Sequence, residues 1–369
     1  MPSTWTTPRR VVSSLSALIV VSAAAACGGT SSSGGGAPTT QSTGTTDATE
    51  PASRFLERYV TADGAVVRRD QGGDVVSEGQ AYGMLIAQEA GETSVVDRIW
   101  RWTRSHLERR DGLLAFHADS TGHVLDDQAA ADADTLAAYA LLRAEGPEAD
   151  SLRSDGRRLA AAVLDQETFR DDRGRTVLAA GPWAVDSQVV NPSYWMPTVF
   201  TALAHDTGDH RWQELADTSV DMVDELTDGG TTLPSDWARV SGRKVVPTGQ
   251  GGAGGTPQYG PDAQRVPLWL AATCDPRAEH LVADWWNVLQ QGDRSAALAL
   301  ATSGEPVDGS SSTVALLASA AAARAGGDTT GARRLLTGAA RSEQGSPTYY
   351  GGAWLALDHL LGATELSGC

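Results

Sequence analysis

From Phe55 onward the apolar residues of this chain return every third or fourth position and almost nowhere every second. That spacing lines them along one side of a helix and leaves a strand no face to bury, so the fold is constrained to be helical. Breaks at Gly, Pro and Asp divide the region into about twelve helices. They are expected to begin near Pro51, Glu78, Ser94, Asp132, Asp150, Ser193, Asp209, Asp262, Pro276, Ser310, Asp328 and Pro347. No second linker interrupts residues 54–369, so one all-α domain is expected there. So many helices close most simply as a toroid of about six helix pairs, an (α/α)6 barrel, with the inner helices parallel to one another and the outer ones antiparallel to them. All inner helices then start at the same end. Groups in their first turns converge on one face, where the helix ends offer unpaired N–H groups.

The N-terminal residues read differently. Arg9 and Arg10 precede an apolar run, Val11 to Ala26, that ends in small residues at Cys27. This is the make-up of a signal peptide, residues 1–27, and the run is too short and alanine-rich to read as a membrane span. The "AAC" before "GG" resembles a bacterial lipoprotein box with Cys27 as the lipidated residue, although Ala24 stands where leucine is usual. Plain secretion is the other route, and export is expected by either. Residues 28–53 form a Ser/Thr/Gly-rich tether without apolar period, unable to bury enough surface to fold. As a coil its ends would lie ~25–30 Å apart. With Cys27 lipidated, Cys274 and Cys369 remain, either as a disulfide formed in an oxidising compartment or as two free thiols.

A formal charge of −17 argues against nucleic acid as a partner, because phosphate binding needs clustered Lys and Arg. It tolerates neutral or cationic substrates. The 11 tryptophans are either core bulk or, along a cleft, stacking platforms for the flat faces of sugars. The histidines are scattered without H-E-x-x-H or Cys partners, so no metal and no cofactor are expected. The glycine-rich loop Gly249 to Gln258 lacks the Gly-Lys-Ser/Thr of a phosphate loop and reads as a rim beside Asp262. No G-x-S-x-G elbow occurs in the folded region.

Three helix starts carry acids. In "SEGQAYGM" (Ser77 to Met84), Ser77 and Gln80 have the spacing of a capping box, which puts Glu78 in the first turn. In "ADADTLAAYALLRA", Asp132 reads as an N-cap with Asp134 within the first turn. A Ca²⁺ loop is excluded there by the missing third ligand, central Gly and terminal Glu. In "DAQRVPLW", Asp262 follows Pro261, a favoured first helical residue, and Arg265 lies one turn on. Acids at helix starts gain ~0.3–1 kcal/mol from the dipole whatever their function. A general acid needs the opposite influence, which only like-charged neighbours and excluded water supply. Glu78 beside Asp132 or Asp134 in a groove meets that condition, and Asp262, kept ionised by Arg265, completes the pair of carboxylates that glycoside hydrolysis uses.

These motifs, together with "NPSYWMP" (Asn191 to Pro197), "LPSDWA" (Leu233 to Ala238) and "YYGGAWLALDHL", resemble in order those of glycoside hydrolase family 8, from about Phe55 to the C-terminus. The family comprises bacterial endoglucanases, chitosanases, lichenases and xylan-active enzymes with an (α/α)6 barrel. The resemblance implies an inverting endo-β-1,4-glucanase acting on a polysaccharide as a monomer. It places the general acid on Glu78, the base on Asp262, and the binding and distortion of the central sugar on Asp132. It gives Asp134, Tyr82, Asn191, Tyr194, Trp195, Trp237 and Arg265 to substrate binding; for the Tyr194, Trp195 and Trp237 rings core packing is the alternative, and for Asn191 a helix cap. Three positions depart from the pattern: Ala131 where Ser or Thr is usual, Ala137 where a larger aliphatic is common, and Pro261 where tyrosine often precedes the base.

Overall fold

The computed structural model describes residues 50–307 and 309–363. The proposed signal peptide, the Cys27 lipidation site, nearly all of the tether and Cys369 lie outside them.

Twelve α-helices occur among the described residues: α1 (Glu50–Tyr59), α2 (Ser77–Glu89), α3 (Thr93–His106), α4 (Ala131–Leu142), α5 (Ala149–Gln166), α6 (Pro197–Thr207), α7 (Arg211–Leu226), α8 (Val266–Ala271), α9 (Pro276–Leu289), α10 (Thr313–Ala325), α11 (Thr329–Gly345) and α12 (Tyr349–Ala363). They alternate in character. The odd-numbered helices carry one apolar stripe: in α3, Val95, Val96, Ile99, Trp100 and Trp102 are buried while Arg101 and Arg104 face water. Among the even-numbered ones the alanine-rich α4 and α10 are buried nearly all round. A helix apolar on every side must be enclosed by other helices. Accordingly α2, α4, α6, α8, α10 and α12 touch one another in sequence, and α12 returns to α2, which closes an inner ring. The odd helices pack outside it, each against a neighbour in chain order. This is an (α/α)6 arrangement, sealed where α1 meets α12 through Phe55, Tyr59 and Tyr349, the two tyrosine rings standing edge to face at 5.8 Å.

Short strands of two to five residues, which the sequence pattern does not announce, occupy the segments leading into the inner helices. Val75–Val76 pairs with His117–Ala118, which pairs with Val124–Asp126. Val189–Val190 pairs with Trp237–Ser241, which forms a hairpin with Lys244–Thr248. Part of the glycine-rich loop is a 3₁₀ turn, Gln250–Gly252, held by a hydrogen bond from Arg239 to the Gly252 carbonyl.

Two local expectations are corrected. The capping box at α2 does not form, because Val76 is the N-cap and the buried Ser77 hydroxyl finds no partner among the described residues. Gln80 instead ties α2 to its neighbours: Oε1 accepts from Val66 N at 2.5 Å, and Nε2 donates to Thr103 Oγ1 at 2.8 Å and to the Gly64 carbonyl at 3.2 Å. Likewise Ala130, not Asp132, is the N-cap of α4, so Asp132 lies inside the first turn with its carboxylate free for other partners. Cys274, just beyond α8, is disulfide-bonded.

Candidate active site

The first turns of α2 and α4 and the turn before α8 bring Glu78, Asp132 and Asp262 around one arginine. Arg265 is 2% exposed. Its Nη1 donates to Glu78 Oε1 at 2.6 Å, to Asp132 Oδ2 at 2.9 Å and to the Tyr82 hydroxyl at 2.9 Å, and its Nη2 donates to Asp262 Oδ1 at 2.9 Å. A buried guanidinium is costly unless paired, and the planar fork lets one residue satisfy three acids with fixed geometry. The ring of Tyr194 lies 5.5 Å from the guanidinium carbon, a cation–π contact on its face.

Each acid is held differently. Glu78 Oε1 also accepts from the Tyr82 hydroxyl at 2.9 Å, one turn along α2, so both of these bonds fall on Oε1 and not on Oε2. Gly79 follows it because the Tyr349 hydroxyl of α12 occupies the place a Cβ would take. Asp132 is enclosed, its Oδ1 accepting from the N–H of Ala133 at 2.9 Å. Burial pushes its carboxyl up to about 7, the Arg265 charge opposing and the Glu78 and Asp262 charges adding to the rise. Asp262 sits on a turn, not at the start of a regular helix: it is the N-cap of the 3₁₀ segment Ala263–Arg265, and α8 begins at Val266 with Pro267 in its first turn. Its Oδ2 accepts from Asn191 Nδ2 at 2.9 Å. Of the two roles read from the sequence Asn191 takes the cap, its Oδ1 accepting from Ser193 N at the Pro192–Tyr194 turn.

Exposure separates the three. The side chains of Glu78 and Asp262 are 18% and 32% exposed, while that of Asp132 is 3%. Two acids open to solvent thus flank a closed third. Glu78 and Asp262 are linked through one guanidinium, so their bonded oxygens lie no more than about 8 Å apart, an upper bound that falls inside the roughly 6.5–9.5 Å that a water between two carboxylates needs.

Two expected ligands lie elsewhere. Asp134 is fully buried in the wall, where its Oδ1 accepts from Leu114 N at 2.8 Å, and burial raises its carboxyl well above the usual range. Trp195 is 3% exposed and donates from Nε1 to the Leu178 carbonyl, so it packs in the core. Trp237 is partly open, with its ring 6.2 Å from that of Trp183, which is 40% exposed. Trp183 and Tyr350 were not singled out by sequence reasoning. Tyr350 donates its hydroxyl to the Pro261 carbonyl at 3.0 Å, next to Asp262; its place in "YYGGAWLALDHL" was the only signal.

The model of the family described as Glycosyl hydrolases family 8 matches residues 38–362. A probable endoglucanase of Novacetimonas hansenii is 30% identical over 234 residues, 58% of this chain and 64% of its own length. Among solved structures, an endo-β-1,4-glucanase from Acetobacter xylinum superposes with a TM-score of 0.71 at 23% identity, covering 86% of this chain and 98% of its own. A β-1,3-1,4-glucanase from Paenibacillus sp. X4 reaches 0.76 at 20% identity, covering 87% and 91%. At those identities the two structures show a shared fold.

Proposed function

The chain belongs to glycosyl hydrolases family 8, and on that premise we propose that it is an inverting endo-β-1,4-glucanase. The observation that carries the reading is the joining of two solvent-reachable carboxylates, Glu78 and Asp262, on either side of one buried arginine. Glu78 protonates the leaving glycosidic oxygen from Oε2. Asp262, steadied by Arg265 and Asn191, takes a proton from the water that attacks the anomeric carbon from the opposite face. Asp132 meets the central sugar from below, and its high proton affinity suits it to donate a hydrogen bond to a sugar hydroxyl. The protein works as an exported monomer, lipid-anchored at Cys27, on a polymeric substrate.

The test is reducing-sugar release from carboxymethylcellulose, lichenan, xylan and chitosan, by the parent and by Glu78→Gln. Carboxymethylcellulose turnover should exceed the others and fall roughly 10²–10⁴-fold in the variant, with the melting temperature retained. Near-normal turnover by the variant ends the acid assignment. The net charge of −17 favours one rival substrate, cationic chitosan, and faster release from it would replace the glucan. Binding to cellulose without product from any polymer would show a glycan-binding protein instead.

A further inference from the structure

The turn that carries Asp262 is gripped by a residue outside the carboxylate cluster. Asp236 lies in "LPSDWA", just before the strand Trp237–Ser241. Its main-chain N–H donates to the Gln258 carbonyl at 2.8 Å. Its side-chain Oδ1 accepts from Gly260 N at 3.0 Å and from Ala263 N at 2.8 Å, one residue beyond Asp262. Its Oδ2 fills the space that a Cβ on Gly260 would need. Three contacts from one residue therefore span Gln258 to Ala263, and the side chain does the work of an N-cap for the 3₁₀ segment on which Asp262 and Arg265 ride. No regular helix start holds that turn; besides this grip it carries the Gln264 N–H on the Gly260 carbonyl at 3.0 Å and the Tyr350 hydroxyl on the Pro261 carbonyl.

We infer that Asp236 is a positioning residue for the reaction: its carboxyl cradles the Gly260–Ala263 turn and fixes the direction in which Asp262 faces the attacking water. This rests on Asp262 being the base. The charged and titratable groups facing Asp236 are Asp262 and Arg265 on the gripped turn and Tyr259 on the strand before it. Burial, and next the charge of Asp262, raise the Asp236 carboxyl to about 7. Protonation does not release the turn, because a neutral carboxyl keeps an oxygen that accepts both N–H bonds. The geometric duty is independent of the charge, and asparagine can perform it.

The experiment compares Asp236→Ala, Asp236→Asn and Asp262→Ala on a soluble cello-oligosaccharide, with melting curves for each. Asp236→Ala should lower kcat about 100-fold, as expected when a reacting group is misplaced by about an ångström. KM should change far less than kcat, and Asp236→Asn should restore most of kcat. Gly260→Ala, which pushes a methyl against Oδ2, should lower kcat in the same way and stands in if Asp236→Ala does not fold. Parent-like kcat in the folded alanine variants, or loss in Asp236→Asn equal to that in Asp236→Ala, overturns the inference. An active Asp262→Ala instead removes the base assignment on which it stands.

Discussion

Replacing Arg265 with methionine removes the one cation that, among the described residues, donates to Glu78, Asp132 and Asp262 together. Arg265 and Asp132 are 2% and 3% exposed as side chains, so the pair is fully enclosed. Breaking such a pair from one side costs roughly 3–5 kcal/mol, since the remaining carboxylate keeps its desolvation penalty without its partner. Glu78 and Asp262 are open enough for solvent to screen them, and each adds at most about 1 kcal/mol. The pH dependence is more diagnostic than the size. Asp132 already holds its proton up to about pH 7 when folded, against about 3.9 when unfolded. Its contribution therefore falls as pH rises from about 4 to 7, and in the parent this loss levels off above 7. Without Arg265 the opposing pull on Asp132 is gone, the folded carboxyl titrates higher still, and the loss continues. The gap between parent and variant should thus widen above pH 7 by up to about 1.4 kcal/mol per pH unit. Below pH 6 both proteins hold Asp132 neutral and the gap narrows. Urea unfolding followed by tryptophan fluorescence at pH 5, 7 and 8.5 measures it. A gap under about 1 kcal/mol at pH 8.5, or an equal gap at pH 5 and 8.5, would refute the claim that Arg265 neutralises a buried acid.

Two further substitutions separate architecture from binding. Gln80→Ala should strip partners from the Val66 N–H and the Thr103 hydroxyl and destabilise by about 2–4 kcal/mol. The melting temperature should fall while kcat per folded molecule is kept; loss of kcat in the folded protein would mean that Gln80 also shapes the site. Trp183→Ala should raise KM on long glucans by up to about tenfold, the worth of one stacked aromatic, and leave kcat alone. An unchanged KM would place that ring outside the substrate path.

Much of the architecture was legible because it follows from periodicity. All twelve predicted starts fall within four residues of a helix start, and inner and outer helices differ in the residues a reader can see: alanine-rich all round in α4, striped with arginine in α3. The strands stayed hidden because they are too short to alternate. The meeting of Glu78 and Asp132 was readable from helix polarity, since both lie in first turns of inner helices, whereas Asp262 joins them from a 3₁₀ turn ahead of α8. What sequence could not give was depth. Asp132 and Asp134 are two residues apart in the same turn, yet they point to opposite fates, one to Arg265 and the other to the Leu114 N–H. Nor did spacing reveal that Gln80 serves the wall, because a glutamine three residues after a serine looks the same whether or not it turns back to cap.

The ring closes only where α12 settles between α10 and α2, and that same helix delivers Tyr350 to the turn beside Asp262. Synthesis therefore supplies the last wall and the last brace of the reaction centre together, after Glu78, Asp132 and Asp262 have already been made. A nascent chain halted before Tyr349 holds all three carboxylates but leaves an open arc in place of a circle, with the greasy flank of α2 uncovered. Premature termination should give an inert, sticky product and not a slower catalyst.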